Sequence, residues 1–281
     1  MTATSRPTWF ITGASSGFGL SFARHALAQG CNVVATARQP ARLAALAEGA
    51  RGRVLTLALD VTAPGDAERA AAAALAHFGR IDVLVNNAGY AVVGAVEETP
   101  EAELRAQLET NFFGAVAVAR AVLPAMRRQR RGAIVNISSM GGQMSFGGFG
   151  AYSASKFALE GLSEALAQEV APFGIKVLIV EPGAFRTGFA GAEALRHMPV
   201  LQDYADIVGG TRSFAKGMHG TQAGDPDKAA AAVDAALRAE ATPLRLQLGA
   251  DSIDAVRGHA EQLLADLAAW EAVGSATAME A

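Results

Sequence analysis

The sequence predicts an α/β fold, a doubly wound parallel sheet flanked by helices, in a single domain spanning residues 1–281. Short β-branched runs alternate with alanine-rich helical stretches through the first 185 residues. Those runs are almost continuously apolar, as strands covered on both faces of a parallel sheet must be. Glycine, at 30 residues, clusters at the joints, with Gly13, Gly17 and Gly19 near the start and a rich stretch from Gly141 to Gly150.

Taken in order, Trp9–Thr12, Asn32–Thr36, Val54–Leu59, Val83–Val85, Ala133–Ile137 and Lys176–Val180 read as strands. Between them Gly17–Gln29, Ala41–Ala47, Asp66–Phe78, Glu101–Arg127 (as one helix or two) and Tyr152–Val170 read as helices. Pro64 lies just ahead of one helix and Pro100 opens another, where a missing N–H does no harm. In a sheet wound this way, ligands bind at the carboxyl ends of the strands. After Pro182 the pattern loosens: residues 184–224 show no steady period and read as a mobile insertion, with 188–224 as a lid over the substrate. A helix at 226–240, a strand at Leu244–Leu248 and a terminal helix at 251–272 complete the domain.

Apolar residues make up 51% and charged residues 18% of the chain, against about 45–50% and about 25% on average, so a disordered chain is excluded. The net charge of −3 is spread without long blocks, which gives no footing to nucleic acid. Arg127-Arg128-Gln129-Arg130-Arg131 reads as a helix end whose cations oppose the dipole. One cysteine, Cys31, cannot form an internal disulfide, and no stretch is long and apolar enough to span a membrane. A cytoplasmic protein is expected. The five histidines show no ligand spacing, so no metal is expected.

The first strand runs into Thr12-Gly13-Ala14-Ser15-Ser16-Gly17-Phe18-Gly19 and then a helix. Glycines there permit a tight turn and close approach of a pyrophosphate to helix N-terminal N–H groups. A glycine turn without a ligand is the alternative, and the place between first strand and first helix favours phosphate. An acidic residue at the end of the second strand would bind the ribose 2′-hydroxyl of NAD. Here that strand ends in Ala37-Arg38, and no Asp or Glu precedes Glu48. A guanidinium grips a 2′-phosphate that a carboxylate would repel. Arg38, with Arg42 nearby, therefore points to NADP(H), with NAD(H) possible.

Tyr152 and Lys156 stand four residues apart, on one helical face, after a strand ending Asn136-Ile137-Ser138-Ser139. A phenol titrates near pH 10, too high for efficient proton transfer at neutral pH. An ammonium about 4 Å away, at an effective dielectric of about 20, would stabilise the phenolate by about 4 kcal/mol. That corresponds to about three pH units and a phenol titrating near 7. Ser139 could hold the same carbonyl oxygen through its hydroxyl.

The glycine turn, Asn86-Asn87-Ala88-Gly89, Ser139, Tyr152-x-x-x-Lys156 and Pro182-Gly183 together resemble the short-chain dehydrogenase/reductase family in its classical form, over roughly residues 8–187. The resemblance implies a Rossmann-like fold and an NADP(H)-dependent oxidoreductase interconverting a ketone or aldehyde and an alcohol. It makes Tyr152 the general acid/base, with Lys156 lowering its pKa and binding the nicotinamide ribose. Ser139 orients the substrate oxygen, and Asn111 maintains a water path for protons toward the lysine. Cofactor contacts fall on Gly13, Ser15, Ser16, Gly17, Phe18 and Gly19, on Arg38, on Asp60 and Val61 beside the adenine, and on Asn87, Ala88 and Gly89. Pro182, Gly183, Phe185 and Thr187 would seat the nicotinamide. The resemblance also implies a homodimer or homotetramer built through the helices that hold Asn111 and Tyr152.

Ser139, Met140, Gln143, Met144, Phe149, Tyr152 and Phe185 are expected to contact the substrate, with Phe146 and residues of the insertion (Phe189, Leu195, Met198, Leu201, Tyr204, Phe214) beside them. Aromatic and methionine side chains over a glycine floor suit an apolar, bulky ketone or secondary alcohol. The same residues could be plain core beneath a lid. A non-catalytic, dinucleotide-sensing protein on this fold is the alternative function, and an epimerase or dehydratase that recycles its cofactor is a third.

Overall fold

The computed structural model describes residues 6–50, 52–191 and 194–279. Expectations for residues 1–5, 51, 192–193 and 280–281 lie outside the described residues. Seven parallel strands form the central sheet: β1 (Thr8–Ile11), β2 (Asn32–Ala37), β3 (Val54–Ala58), β4 (Val83–Asn86), β6 (Gly132–Ile137), β7 (Ile175–Pro182) and β9 (Arg245–Leu248). Their spatial order is β3-β2-β1-β4-β6-β7-β9. β5 (Ala91–Val93) and β8 (Leu195–His197) pair separately, also in parallel.

Alternation along each strand divides the core in two. Trp9, Ile11, Val33, Ala35, Val85 and Val135 point to one face, against Phe22, Ala23 and Ala26 of α1 (Gly17–Ala28) and Ala229, Ala230 and Val233 of α8 (Pro226–Arg238). Phe10, Val34, Leu84 and Ile134 point to the other. There they meet the alanines of α3 (Asp66–Phe78), Val118, Val122 and Met126 of α5 (Gly114–Gln129), and Leu166 and Val170 of α6 (Gly150–Val170). The predicted doubly wound sheet is thus present, and burial on both faces is why its strands read as unbroken apolar runs. The order reverses between β1 and β4, where such folds open a crevice at the strand ends.

Three elements differ from expectation. Ala41–Ala47 is a 3-10 turn followed by the single turn α2 (Ala44–Ala47). The predicted helix 101–127 is α4 (Glu101–Leu108), a π-helical turn over Glu109–Phe113, and then α5, without a break in the chain's helical path. The segment 184–224 is more regular than its sequence suggested: it contains β8 and α7 (Ala205–Gly217). β8 gains its hydrogen bonds from β5, just over a hundred residues away, a pairing that local periodicity cannot announce. α9 (Ala250–Ser275) closes the chain. Among the described residues no helix is long and apolar enough to cross a membrane.

Candidate active site

A cavity of about 1100 Å³ runs along the carboxyl ends of the strands, from Arg38, Arg42 and Asp60 at one end to Tyr152, Phe149 and Phe214 at the other. At its centre the turn between β1 and α1 is locked from β4. The Thr12 hydroxyl accepts from the Asn87 and Ala88 amides at 2.9 and 3.0 Å, while Asn87 Nδ2 donates to the Thr12 and Gly13 carbonyls at 2.9 and 3.1 Å. Gly13 and Gly17 adopt φ of +64° and +51°, conformations that disfavour any residue with a Cβ. A Cβ on Gly19 would lie 2.3 Å from the Gly13 carbonyl oxygen. Ser16 is the N-cap of α1, yet its side chain makes no capping bond, leaving helix N–H groups directed at the cavity. Such a cradle, with an electropositive helix end and no obstructing side chains, fits a pyrophosphate.

At the end near Arg38, the Asp60 carboxylate accepts from the Thr62 hydroxyl at 2.7 Å and amide at 3.0 Å. These bonds hold its pKa below the ordinary value, and the Arg38 guanidinium pulls the same way. At the other end, Tyr152 Oη and Ser139 lie together on the wall. Ser139 caps a short turn by accepting from the Gly141 amide at 3.0 Å. Lys156, buried on the next turn of α6, donates from Nζ to the Ile137 carbonyl at 2.8 Å and sits 5.7 Å from the centre of the Tyr152 ring.

The electrostatics depart from the expected phenol titrating near 7. Burial pushes Tyr152 up to about 12, against the Ser139 hydroxyl, which draws it down. Burial likewise lowers Lys156 to about 8, although Glu160 one turn on favours its charged form. The physical reason is that enclosure penalises phenolate and ammonium alike. Tyr152 is therefore held as a neutral phenol.

Asn111 sits on the π-helical turn, 2% exposed. Its Oδ1 accepts from the Tyr90 amide at 3.1 Å; Nδ2 donates to the Tyr90 carbonyl at 2.9 Å and to Ser155 Oγ at 3.0 Å. Ser155 in turn donates to the Tyr152 carbonyl at 2.7 Å. Asn111 does not line the cavity; Gly89 stands between it and Lys156, and a Cβ there would be 3.0 Å from Asn111 Oδ1 and 3.8 Å from Lys156 Nζ. An extra residue in the helical turn turns this asparagine inward, as π-helical turns often do at functional sites.

Comparison with known proteins follows the same outline. Residues 7–196 match the family model described as short chain dehydrogenase. The chain belongs to the short-chain dehydrogenase/reductase family. An oxidoreductase named BOA17 from Botryotinia fuckeliana is 41% identical over 271 residues, covering 96% of this chain and 98% of that one. A 3-ketodihydrosphingosine reductase from Bacteroides thetaiotaomicron is 48% identical over 197 residues, 70% of this chain and 71% of that one. A short-chain dehydrogenase from Streptomyces avermitilis superposes with a TM-score of 0.93 at 51% identity, covering 98% of this chain and 100% of that one. A metagenomic short-chain oxidoreductase in complex with NADP superposes with a TM-score of 0.68 at 29% identity, over 86% and 96% of the two chains. As a short-chain dehydrogenase/reductase, this protein is an oxidoreductase that uses a nicotinamide dinucleotide and a small-molecule substrate.

Most residues singled out from the sequence line the one cavity: Gly13, Ser15, Ser16, Gly17, Phe18, Arg38, Asp60, Val61, Asn87, Ala88, Gly89, Ser139, Met140, Phe149, Tyr152, Lys156, Pro182, Gly183, Phe185 and Thr187. Two residues expected at the substrate stand elsewhere. Gln143 and Met144 are not on the cavity wall; the Gln143 amide turns away and donates to Glu160 and Glu181 at 3.2 and 3.1 Å, where two carboxylates offer acceptors. Gly19 also stays off the wall, packed against Gly13. In the insertion Phe189, Leu195 and Phe214 reach the cavity, whereas Met198, Leu201 and Tyr204 do not. Tyr204 instead donates to Glu97 at 2.7 Å.

Sequence reasoning passed over Tyr90, Thr62, Arg196 and Asp251, all on the wall of this short-chain dehydrogenase/reductase. Tyr90, next to Asn87-Ala88-Gly89, was within reach of motif reading. Arg196 lies on β8, 4.5 Å from the Tyr90 ring centre. Asp251 opens α9 and accepts from the Ala184 amide at 2.7 Å. Only long-range folding brings those two to the cavity.

Proposed function

We propose that this short-chain dehydrogenase/reductase is NADP(H)-dependent and interconverts a bulky, apolar ketone with its secondary alcohol, with Tyr152 as the proton donor and acceptor. The observation that carries the reading is convergence: Tyr152, Ser139 and Lys156 share one cavity with the glycine turn and with Arg38. The dinucleotide would lie with its pyrophosphate at Ser15–Gly19, its 2′-phosphate at Arg38 and Arg42, and its nicotinamide between Lys156 and Thr187. When bound, the nicotinamide supplies or takes up the hydride. In the reductive direction Ser139 orients the carbonyl oxygen by hydrogen bonding, and Tyr152 passes its proton to that oxygen. Lys156, charged below about pH 8, stabilises the phenolate left behind. Asn111 and Ser155 hold the first turn of α6 so that Tyr152 keeps its direction.

Phe146, Phe149, Phe189, Leu195, Phe214 and Met218 line the substrate end, and the Tyr152 ring stands 5.9 Å from that of Phe189. Such a lining favours apolar substrates, with residues 188–224 as the covering lid. A single buried cysteine suits a cytoplasmic setting.

The test is a panel of apolar ketones and alcohols, 3-ketodihydrosphingosine included, with both cofactors, followed at the nicotinamide absorbance. Tyr152→Phe is expected to lower turnover by about 10²–10⁴-fold with NADPH affinity nearly unchanged. Turnover unaffected by that change would sink the assigned role. A protein that binds NADPH and never consumes it would be a sensor instead.

A further inference from the structure

Among the described residues, α9 is held through its first turns, with Ala255, Val256 and His259 half-buried. Asp251 holds the Ala184 amide, and the Ser252 hydroxyl donates to the Glu181 carbonyl at 2.7 Å. From Ala260 to the end of the helix at Ser275 every residue is exposed. Leu263, Leu264, Leu267, Trp270 and Val273 are 56%, 67%, 65%, 68% and 61% exposed. Scattered apolar residues are ordinary on a surface, but a contiguous stripe of this kind marks a contact site. Its period is specific as well. Ile253, Val256, Ala260, Leu263, Leu267, Trp270 and Gly274 follow one another at alternating steps of three and four, the seam of a two-helix coiled coil.

We propose that α9 is a self-association element that pairs in antiparallel fashion with α9 of a second copy of this chain. Residue size and charge choose both partner and direction. Antiparallel pairing about Ala265 sets Ala260 against the second copy's Trp270, Val256 against its Gly274, and Leu263 against its Leu267. Small thus meets large at the two outer steps, and leucine meets leucine at the centre. The same register lays Arg257 beside the second copy's Glu271, twice by symmetry, with Leu264 meeting Leu264 between them. Asp266 meets its own counterpart at the flank, where Gln262 Nε2 already donates to it at 2.8 Å. Parallel pairing would stack Trp270 on Trp270 and Ala260 on Ala260, and would bring Asp266 against Glu271. A lipid surface fits less well: α9 carries Asp251, Asp254, Glu261, Asp266 and Glu271 against the lone Arg257, whereas membrane-surface helices are rich in Lys and Arg.

Two measurements on the full-length chain test the proposal, and neither touches the cavity. First, Leu263→Cys and Leu267→Cys variants, one lengthened by a tag, are oxidised alone and mixed. A disulfide between the two variants, formed in the mixture far faster than within either alone, is the expected result. Self-linking of each variant alone would mean parallel pairing and would overturn the proposal. Second, sedimentation velocity follows Arg257→Glu, Glu271→Arg and the double exchange. Each single change is expected to weaken association about tenfold, since two exposed ion pairs become repulsive. The double exchange restores it. Residues 257 and 271 lie about 21 Å apart on one helix, so rescue can arise only between copies. Unaltered sedimentation in Trp270→Asp, or co-sedimentation of the wild type with phosphatidylglycerol vesicles in place of dimers, would also refute it.

Discussion

Replacing Lys156 with Met separates the two consequences of burying an ammonium beside Tyr152. Lys156 Nζ lies 5.7 Å from the Tyr152 ring centre, and an ammonium about 5 Å from a phenolate at an effective dielectric of about 20 stabilises it by about 3 kcal/mol. That is about two pH units, or up to about 100-fold in a step that creates the phenolate. Reduction of a ketone by the wild type, measured in single turnovers at saturating NADPH, is expected to be flat below about pH 7. It then falls as pH rises through about 8, where Lys156 loses its proton. Lys156→Met starts up to about 100-fold lower and has no such limb. In the oxidative direction the Tyr152 phenolate takes the alcohol's proton, and because burial pushes Tyr152 up to about 12 the phenolate fraction and the rate climb through the alkaline range.

Stability moves the other way. Lys156 titrates near 10.5 when unfolded and near 8 when folded, so between those values the unfolded chain binds more protons and wild-type stability rises with pH. Below pH 8 the folded protein carries the full cost of the buried charge, about 3 kcal/mol. Methionine removes that cost but leaves the Ile137 carbonyl without its donor, about 1 kcal/mol. Urea unfolding at pH 7 is expected to show Lys156→Met more stable by about 2 kcal/mol, the gain fading as pH approaches 10. Undiminished single-turnover rates, or an alkaline limb that survives in the variant, would refute the electrostatic role. A variant less stable than wild type at pH 7 would refute the burial cost.

Four further outcomes follow from particular positions. Gly19→Ala places a methyl 2.3 Å from the Gly13 carbonyl and is expected to abolish NADPH binding by fluorescence titration and lower stability by about 1–3 kcal/mol. Gly258→Ala, with nothing within 4 Å, is expected to raise stability by up to about 1 kcal/mol through helix propensity. Arg38→Asp is expected to weaken NADPH binding at least about tenfold more than NADH binding; equal losses would remove the basis for NADP preference. Arg212 holds Glu98 at 2.6 Å and the Met198 and Pro199 carbonyls at 2.8 and 3.2 Å, so Arg212→Met is expected to admit protease within residues 199–218 while the central sheet stays folded. An unchanged cleavage pattern would show that this contact does not hold α7 down.

The central sheet, the glycine turn and the grouping of Ser139, Tyr152 and Lys156 were legible in the linear order of residues. Each depends on local chemistry: unbroken apolar runs need cover on both faces, a turn against phosphate needs glycine, and residues four apart share a helical face. Gln143 shows where that reasoning stops. It lies among wall residues in sequence, yet Glu160 and Glu181, from α6 and β7, draw its amide away from the cavity. β8 and Arg196 likewise exist as parts of the site only because β5 lies alongside them. Even the acidity of Tyr152 was decided by enclosure, since an ammonium four residues on cannot by itself offset removal from water. Pattern and propensity thus determined the framework and its chemical groups, because they act over a few bonds. Burial, long-range pairing and the distances between charges belong to the folded chain, because they depend on which distant residues come to share the same space.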